Sequence, residues 1–172
     1  MEFLRYLFLL LVIAGSTSVG FLLSKGFSDR VKELRELANL INILQNKIKF
    51  TQVPLKEALT EISNIETNSQ ISKVFLKAGE KIKDEKSEVA WQEALNEERI
   101  FLNLKNEDIE LIKSLGNTLG KTDIEGQMSG INQFENILNM QIKKAEEECS
   151  KNSKMYKSLG TIIGLAIVII LF

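Results

Sequence analysis

The run with the most chemical promise is Leu115-Gly116-Asn117-Thr118-Leu119-Gly120-Lys121-Thr122-Asp123. Gly120-Lys121-Thr122 reads like the end of a phosphate loop, in which backbone N–H groups and a lysine hold the phosphates. That loop needs a second glycine five residues before Gly120, and Leu115 stands there. Gly116 is one position too close and no strand precedes it, so nucleotide binding is set aside. A tight corner between helices fits better: Gly120 ends one helix, Thr122 or Asp123 caps the next, and Gly116 allows close packing. Such a corner also offers a docking surface. Carboxylates recur as Glu97/Glu98, Glu107/Asp108 and Glu146–Glu148, but each lies where a solvated helix face is expected, with no apolar setting to perturb a pKa. Cys149 falls on an apolar stripe and reads as a buried small residue; the chain has no histidine to activate it as a nucleophile. No catalytic constellation remains, and neither a cofactor nor a metal is expected.

Composition supports that exclusion. The chain has 172 residues, with 22 Lys+Arg against 23 Asp+Glu, so it lacks the basic excess that nucleic-acid binding uses. The absence of histidine removes the commonest general base and metal ligand. One cysteine allows neither an internal disulfide nor a multi-thiolate metal site. A single proline and few aromatics favour helices over a β-sandwich.

The apolar residues concentrate at the two ends. Phe3–Leu23 carries only Arg5 and would cover about 31 Å as a helix, close to a hydrocarbon core. A signal peptide cut after Ala14-x-Ser16 is the competing reading, but apolarity resumes in Val19-Gly20-Phe21-Leu22-Leu23, which suits a retained span. Gly15, Ser16, Ser18 and Gly20 sit inside this span and are read as tolerated rather than as a packing seam. At the other end Leu159–Phe172 has no charge. Started at Met155 with Lys157 snorkelling, it reaches about 27 Å, enough for a thin bilayer. Lys25, Arg30, Lys32 and Arg35 follow the first span, and Lys143, Lys144, Lys151, Lys154 and Lys157 precede the second. The positive-inside rule therefore puts Ser24–Ser158 in the cytoplasm and both termini across the membrane.

Between the spans every pattern is helical. Val31, Leu34, Leu37, Ala38, Ile41, Leu44 and Ile48 form one stripe; Pro54 opens a second helix at its first position, with Leu55, Ala58, Leu59, Ile62 and Ile65 behind it. Asn68/Ser69 break the chain before Ile71, Val74, Phe75, Ala78 and Ile82, and Lys83–Lys86 is a loop. Ser87 is the expected N-cap of a fourth helix, with Trp91 as core anchor beside Ala94 and Leu95 and with Leu102 further on. Asn106 is expected to cap a fifth, bearing Ile109, Ile112 and Leu115. Ile124, Met128, Ile131, Phe134, Leu138, Ile142, Ala145 and Cys149 stripe a last helix that runs on into the apolar tail. The fold class is all-α: an antiparallel bundle of about six helices (25–157) flanked by transmembrane helices at 1–24 and 158–172.

The ordered motifs Pro54-Leu55-x-Glu57-Ala58-Leu59, Trp91-x-x-Ala94-Leu95, Leu115-Gly116-x-x-Leu119-Gly120-x-x-Asp123 with Gln127 four residues on, and Tyr156-Lys157-Ser158-Leu159-Gly160 carry a resemblance. With both membrane ends in place, the chain resembles the stage III sporulation protein AB family of endospore-forming bacteria along its whole length. The resemblance implies a non-enzymatic part in the mother-cell-to-forespore channel, in the mother-cell membrane surrounding the forespore. That family is similar to the platform proteins of type II secretion and type IV pilus machines, whose cytoplasmic bundles face a hexameric ATPase. The implied partners are a cytosolic secretion-type ATPase, other sporulation channel membrane proteins, the lipid bilayer, and further copies of the chain supplying the second bundle that those platforms carry in tandem. Leu115, Gly116, Leu119, Gly120, Asp123 and Gln127 carry over as the corner, and Trp91 and Pro54 as packing positions. The alternative is an independent membrane-anchored oligomeric scaffold with no ATPase partner.

Overall fold

The computed structural model describes residues 2–51, 53–65, 69–82, 86–120 and 123–171, with side chains from residue 6 to residue 170. Asn68, Lys83–Glu85, Lys121 and Thr122, named above as break, loop and corner, lie outside the described residues, as does the Arg5 side chain. The described chain is helical, with no strand: α1 (Glu2–Phe50), α2 (Leu55–Ser63), α3 (Gln70–Lys81), α4 (Ser87–Glu98), a 3₁₀ turn (Arg99–Phe101), α5 (Asn106–Leu115) and α6 (Ile124–Leu171). The N-terminal span and the first amphipathic stripe, read separately from the sequence, belong to a single helix, since nothing between Leu23 and Asp29 breaks one.

Two compact units emerge: the described residues up to Val31 and from Lys144 form one, and Lys32–Lys143 the other. The second is the bundle. Its core follows the predicted stripes, with Leu34, Leu37, Ile41 and Leu44 of α1 fully buried alongside Ala58, Leu59, Ile62, Val74, Phe75, Ala94, Ile112, Ile131 and Leu138. Each aliphatic side chain of this kind contributes about 1.5–3 kcal/mol on leaving water. Gly79 lets α3 meet α2 closely, because a Cβ there would stand 3.1 Å from the Lys56 carbonyl oxygen and 2.7 Å from Thr60 Oγ1. Where α6 begins, Ile124 is exposed rather than buried, and Cys149 is half-buried.

Helix starts differ from the sequence reading by one residue, each for a local reason. Pro54 is the N-cap of α2, with φ −53° and ψ 141°, and the extended ψ leaves it outside the helix. Ser87 is the first residue of α4 rather than its cap, because its hydroxyl donates to the Leu119 carbonyl instead, at 2.7 Å. Asn106 likewise starts α5, and the Asp108 carboxylate accepts the Lys105 N–H at 2.9 Å. Ser69 caps α3, its hydroxyl accepting from the Ser72 N–H.

Two carboxylates expected in solvent are buried. Asp108 is withdrawn into that capping bond, and Glu98 is only 4% exposed with its Oε1 2.6 Å from Lys77 Nζ. Lys77 and Lys81 together bind Glu93, Glu97 and Glu98 across α3 and α4. The lysines hold the Glu97 carboxyl below its ordinary range, Lys77 first and Lys81 second.

In the other unit the outer parts of α1 and α6 pair antiparallel. Arg30 Nη1 donates to Glu148 Oε2 at 2.6 Å, the Ser24 and Ser153 hydroxyls share a hydrogen bond, and Phe27 stacks on Tyr156. Further along, Gly20 faces Gly160: a Cβ on Gly20 would lie 2.6 Å from the Tyr156 carbonyl oxygen, and one on Gly160 would lie 2.8 Å from that of Ser16. Ser16 and Gly20 are therefore a packing seam, correcting the expectation that they are merely tolerated, and Gly160-x-x-x-Gly164 is its other half. Gly15 has open space and Ser18 bonds back to its own helix, so for those two the milder reading stands. Small residues of this kind let helices associate where lipid supplies no hydrophobic drive. Both long helices are apolar and long enough to cross a membrane.

Candidate functional site

The corner is built by α5, α6 and the side of α4. After Leu115 the chain makes successive tight turns: Gly116 N–H donates to Lys113 O, Asn117 N–H to Ser114 O and Thr118 N–H to Leu115 O. Gly116, not Gly120, follows the last residue of α5, and its φ of −56° is ordinary. What requires a glycine there is Trp91: a Cβ would come 2.8 Å from its Cδ1. Trp91 is buried, meets Phe75 edge-on at 5.1 Å between centroids, and donates from Nε1 to the Ile112 carbonyl at 2.8 Å. The only tryptophan thus joins α3, α4 and α5.

Gly120 makes the reversal itself, with φ +74°, a left-handed conformation that costs an L side chain about 1–2 kcal/mol. Its N–H donates to Gln127 Oε1 at 3.3 Å. Asp123 caps α6, its Oδ1 accepting the Gly126 N–H at 3.0 Å and its carbonyl accepting from Gln127. Leu115 and Leu119 are buried beneath the turn. Gly130 admits Thr118, whose Cγ2 lies 2.3 Å from where a Cβ would be. All six sequence-derived corner residues come together, and each has a structural task. Among the described residues of the turn, Asn117, Gly120 and Asp123 are left exposed.

Beside the turn lies a groove that motif reading missed. It runs between the end of α1 and the start of α6, measures about 590 Å³, and is lined by Gln45, Asn46, Lys49, Ile124, Glu125, Met128, Ser129 and Asn132. Gln45 Nε2 donates to Asn132 Oδ1 at 2.6 Å across its floor. Phe50 stands 70% exposed next to Lys49, whose ammonium sits 5.1 Å from the ring centroid. An open groove that mixes apolar side chains with amides and charges suits a protein surface better than a small substrate. No group of metal-binding side chains occurs among the described residues. The helical period carried no sign of this groove, because it exists only where two distant helix ends meet.

Groove and corner occupy one end of the bundle. The other end is marked by Glu33, which accepts the Asn103 N–H at 2.8 Å and its Nδ2 at 2.9 Å, and by Glu36, which accepts from the Ser69 hydroxyl. Glu33 and Lys49 are sixteen residues apart on α1, about 24 Å along the axis. The bundle joins the apolar unit at residues 31/32 and 143/144.

Known proteins agree with the helical pattern. The family model for stage III sporulation protein AB matches residues 5–172. The stage III sporulation protein AB of Bacillus subtilis (strain 168) is 27% identical over 170 residues, covering 98% of this chain and 99% of that protein. A solved structure of a stage III sporulation protein AB is similar in fold, with a TM-score of 0.66 at 24% identity over 70% of this chain and 96% of the other. A family match over nearly its entire length places this chain in the stage III sporulation protein AB family.

Proposed function

We propose that this sporulation protein is a non-enzymatic membrane platform of the mother-cell-to-forespore channel, whose bundle docks a cytosolic secretion-type ATPase at the corner and groove. In this reading residues 1–24 and 158–172 cross the mother-cell membrane around the forespore, 25–157 lie in the cytoplasm, and both termini emerge opposite. The observation that carries it is the polarity of the bundle. The corner and its groove lie together at one end of the bundle, about 24 Å along α1 from Glu33. Phe50, Ile124 and Lys49 give a partner at that end apolar and charged anchors.

The test uses the full chain in lipid nanodiscs and the purified secretion-type ATPase of the same sporulating organism. Lys49→Glu and Ile124→Glu, both at exposed positions, should leave the melting temperature unchanged and weaken binding at least tenfold, about 1.4 kcal/mol each. Unaltered binding by both variants would remove the groove from the docking surface. No measurable binding of the unmodified chain would favour the independent scaffold. Orientation is read separately: with Cys149→Ser, a cysteine at Asn117 should react with a membrane-impermeant maleimide only after the mother-cell membrane is opened.

A further inference from the structure

The end of the bundle opposite the groove is also apolar. Ile65, just past α2, is 54% exposed, and Ile100 and Phe101 in the 3₁₀ turn are 77% and 58% exposed. These side chains have no packing reason to be large. The segment bearing Ile100 and Phe101 is clamped to the first turn of α1 within the bundle through Asn103 on Glu33, and Ser69, at the start of α3, bonds Glu36. The exposed tips are thereby fixed at the end where the chain enters the bundle. Glu33 is only six positions along the chain from Phe27, whose ring stacks on Tyr156 at the border of the apolar segments. Six residues reach at most about 20 Å even fully extended, so covalent connection alone keeps Glu33 near that border. Aromatic pairs at such a border are typical of the headgroup layer.

Charge points the same way. Arg99-Ile100-Phe101-Leu102-Asn103-Leu104-Lys105 holds two basic residues and no acidic one. Exposed apolar tips flanked by cations match the interfacial layer of an anionic bilayer, where rings and aliphatic chains enter the acyl boundary and cations meet phosphates. We infer that Ile100 and Phe101 insert into the surface of the membrane that the terminal segments cross, with Arg99 on anionic headgroups, giving the bundle a third attachment. The inference rests on the membrane reading of α1 and α6, and its test separates the two.

The full chain with Cys149→Ser is reconstituted in nanodiscs of phosphatidylcholine and phosphatidylglycerol, and a nitroxide is placed by cysteine substitution at Ile100, Phe101, Asn117 or Leu165 in turn. Power saturation compares collisions with oxygen, which partitions into lipid, and with a water-soluble nickel chelate. Trp91 emission confirms that each labelled bundle is folded. Labels at 100 and 101 should be severalfold more accessible to oxygen than to nickel, as at 165, with the reverse at 117. Nickel-accessible labels at 100 and 101 beside a lipid-facing 165 would overturn the third attachment and leave the membrane reading standing. Labels shielded from both agents would overturn it too, showing protein covering the tips. A water-exposed 165 would sink both readings together. Loss of the oxygen preference at 100 and 101 in purely zwitterionic discs would show that the headgroup charge supplies the attraction.

Discussion

Gly120→Val is the sharpest perturbation the corner offers. Valine at φ +74° meets the left-handed penalty of about 1–2 kcal/mol, and its branched Cβ adds to the crowding. The Cβ would also stand 2.8 Å from Ser87 Oγ and 3.3 Å from Ser87 Cβ, displacing the hydroxyl that donates to Leu119 O and losing about 1 kcal/mol. Stiffening the unfolded chain returns a few tenths to about 1 kcal/mol. The net loss is about 1–3 kcal/mol. A unit of about 110 residues unfolds with an entropy of about 0.23 kcal/mol/K, so the melting temperature should fall by roughly 4–13 °C. The assay is thermal unfolding of the detergent-solubilised chain followed by Trp91 fluorescence, since that ring lies against Gly116 and reports on the bundle alone. Ser87→Ala isolates the hydrogen bond and should cost about 4 °C. Gly120→Asn tolerates the left-handed region and should fall between the two. A valine variant melting within about a degree of the parent, or an asparagine variant as damaged as the valine, would refute the geometric argument.

Other consequences follow from the same geometry. Asp123→Ala removes the cap on Gly126 N and should cost about 1 kcal/mol by the same melting assay, with any larger effect on ATPase binding marking a second role. Gly160→Leu should part α1 from α6, read as lost disulfide formation between cysteines replacing Ser24 and Ser153 in a Cys149→Ser chain; an undiminished cross-link would contradict the seam. Glu97 has a depressed pKa, so its stabilisation is present above the free glutamate value of about 4.3 and is lost as pH falls through the lower folded value. Lys77 and Lys81 are raised, Lys77 chiefly by Glu98 and Lys81 chiefly by Glu93, so their contribution is full below about 10.4 and lost only at still higher pH. Melting temperature should therefore hold between about pH 5 and pH 10, and Lys77→Met should flatten the acid limb by comparison with the parent. Glu135 has the opposite sign: burial raises its pKa and Oε1 has no hydrogen-bond partner, so Glu135→Gln should raise the melting temperature at pH 7.5 and leave it unaltered at pH 3.5.

The parts of this fold legible in the sequence are those set by short-range rules. A period of three to four fixed the α1 stripe from Leu34 to Ile48, and turn chemistry located the corner because Gly120 and Asp123 each satisfy a local backbone demand. Helix starts slipped by one residue at Pro54, Ser87 and Asn106, where cap assignment depended on a tertiary bond or a single ψ angle. Glu98 and Asp108 were misplaced in solvent because periodicity cannot see that Lys77 or a capped N–H compensates a buried carboxylate. The seam was half visible: Ser16 and Gly20 stood out, but their meaning depended on Gly160 and Gly164, some 140 residues later. The groove depends on the ends of α1 and α6 lying side by side, which no local pattern encodes.

The most direct test of the platform reading is site-specific photocross-linking in sporulating cells, with a benzophenone amino acid placed at Asn117, Ser129 or Lys73 of the full chain. The first two lie at the corner and groove, and the third is an exposed position on α3. The account predicts a covalent product with the secretion-type ATPase from Asn117 and Ser129 and none from Lys73. Cross-links only to membrane proteins or to other copies of the chain, at all three positions, would contradict it.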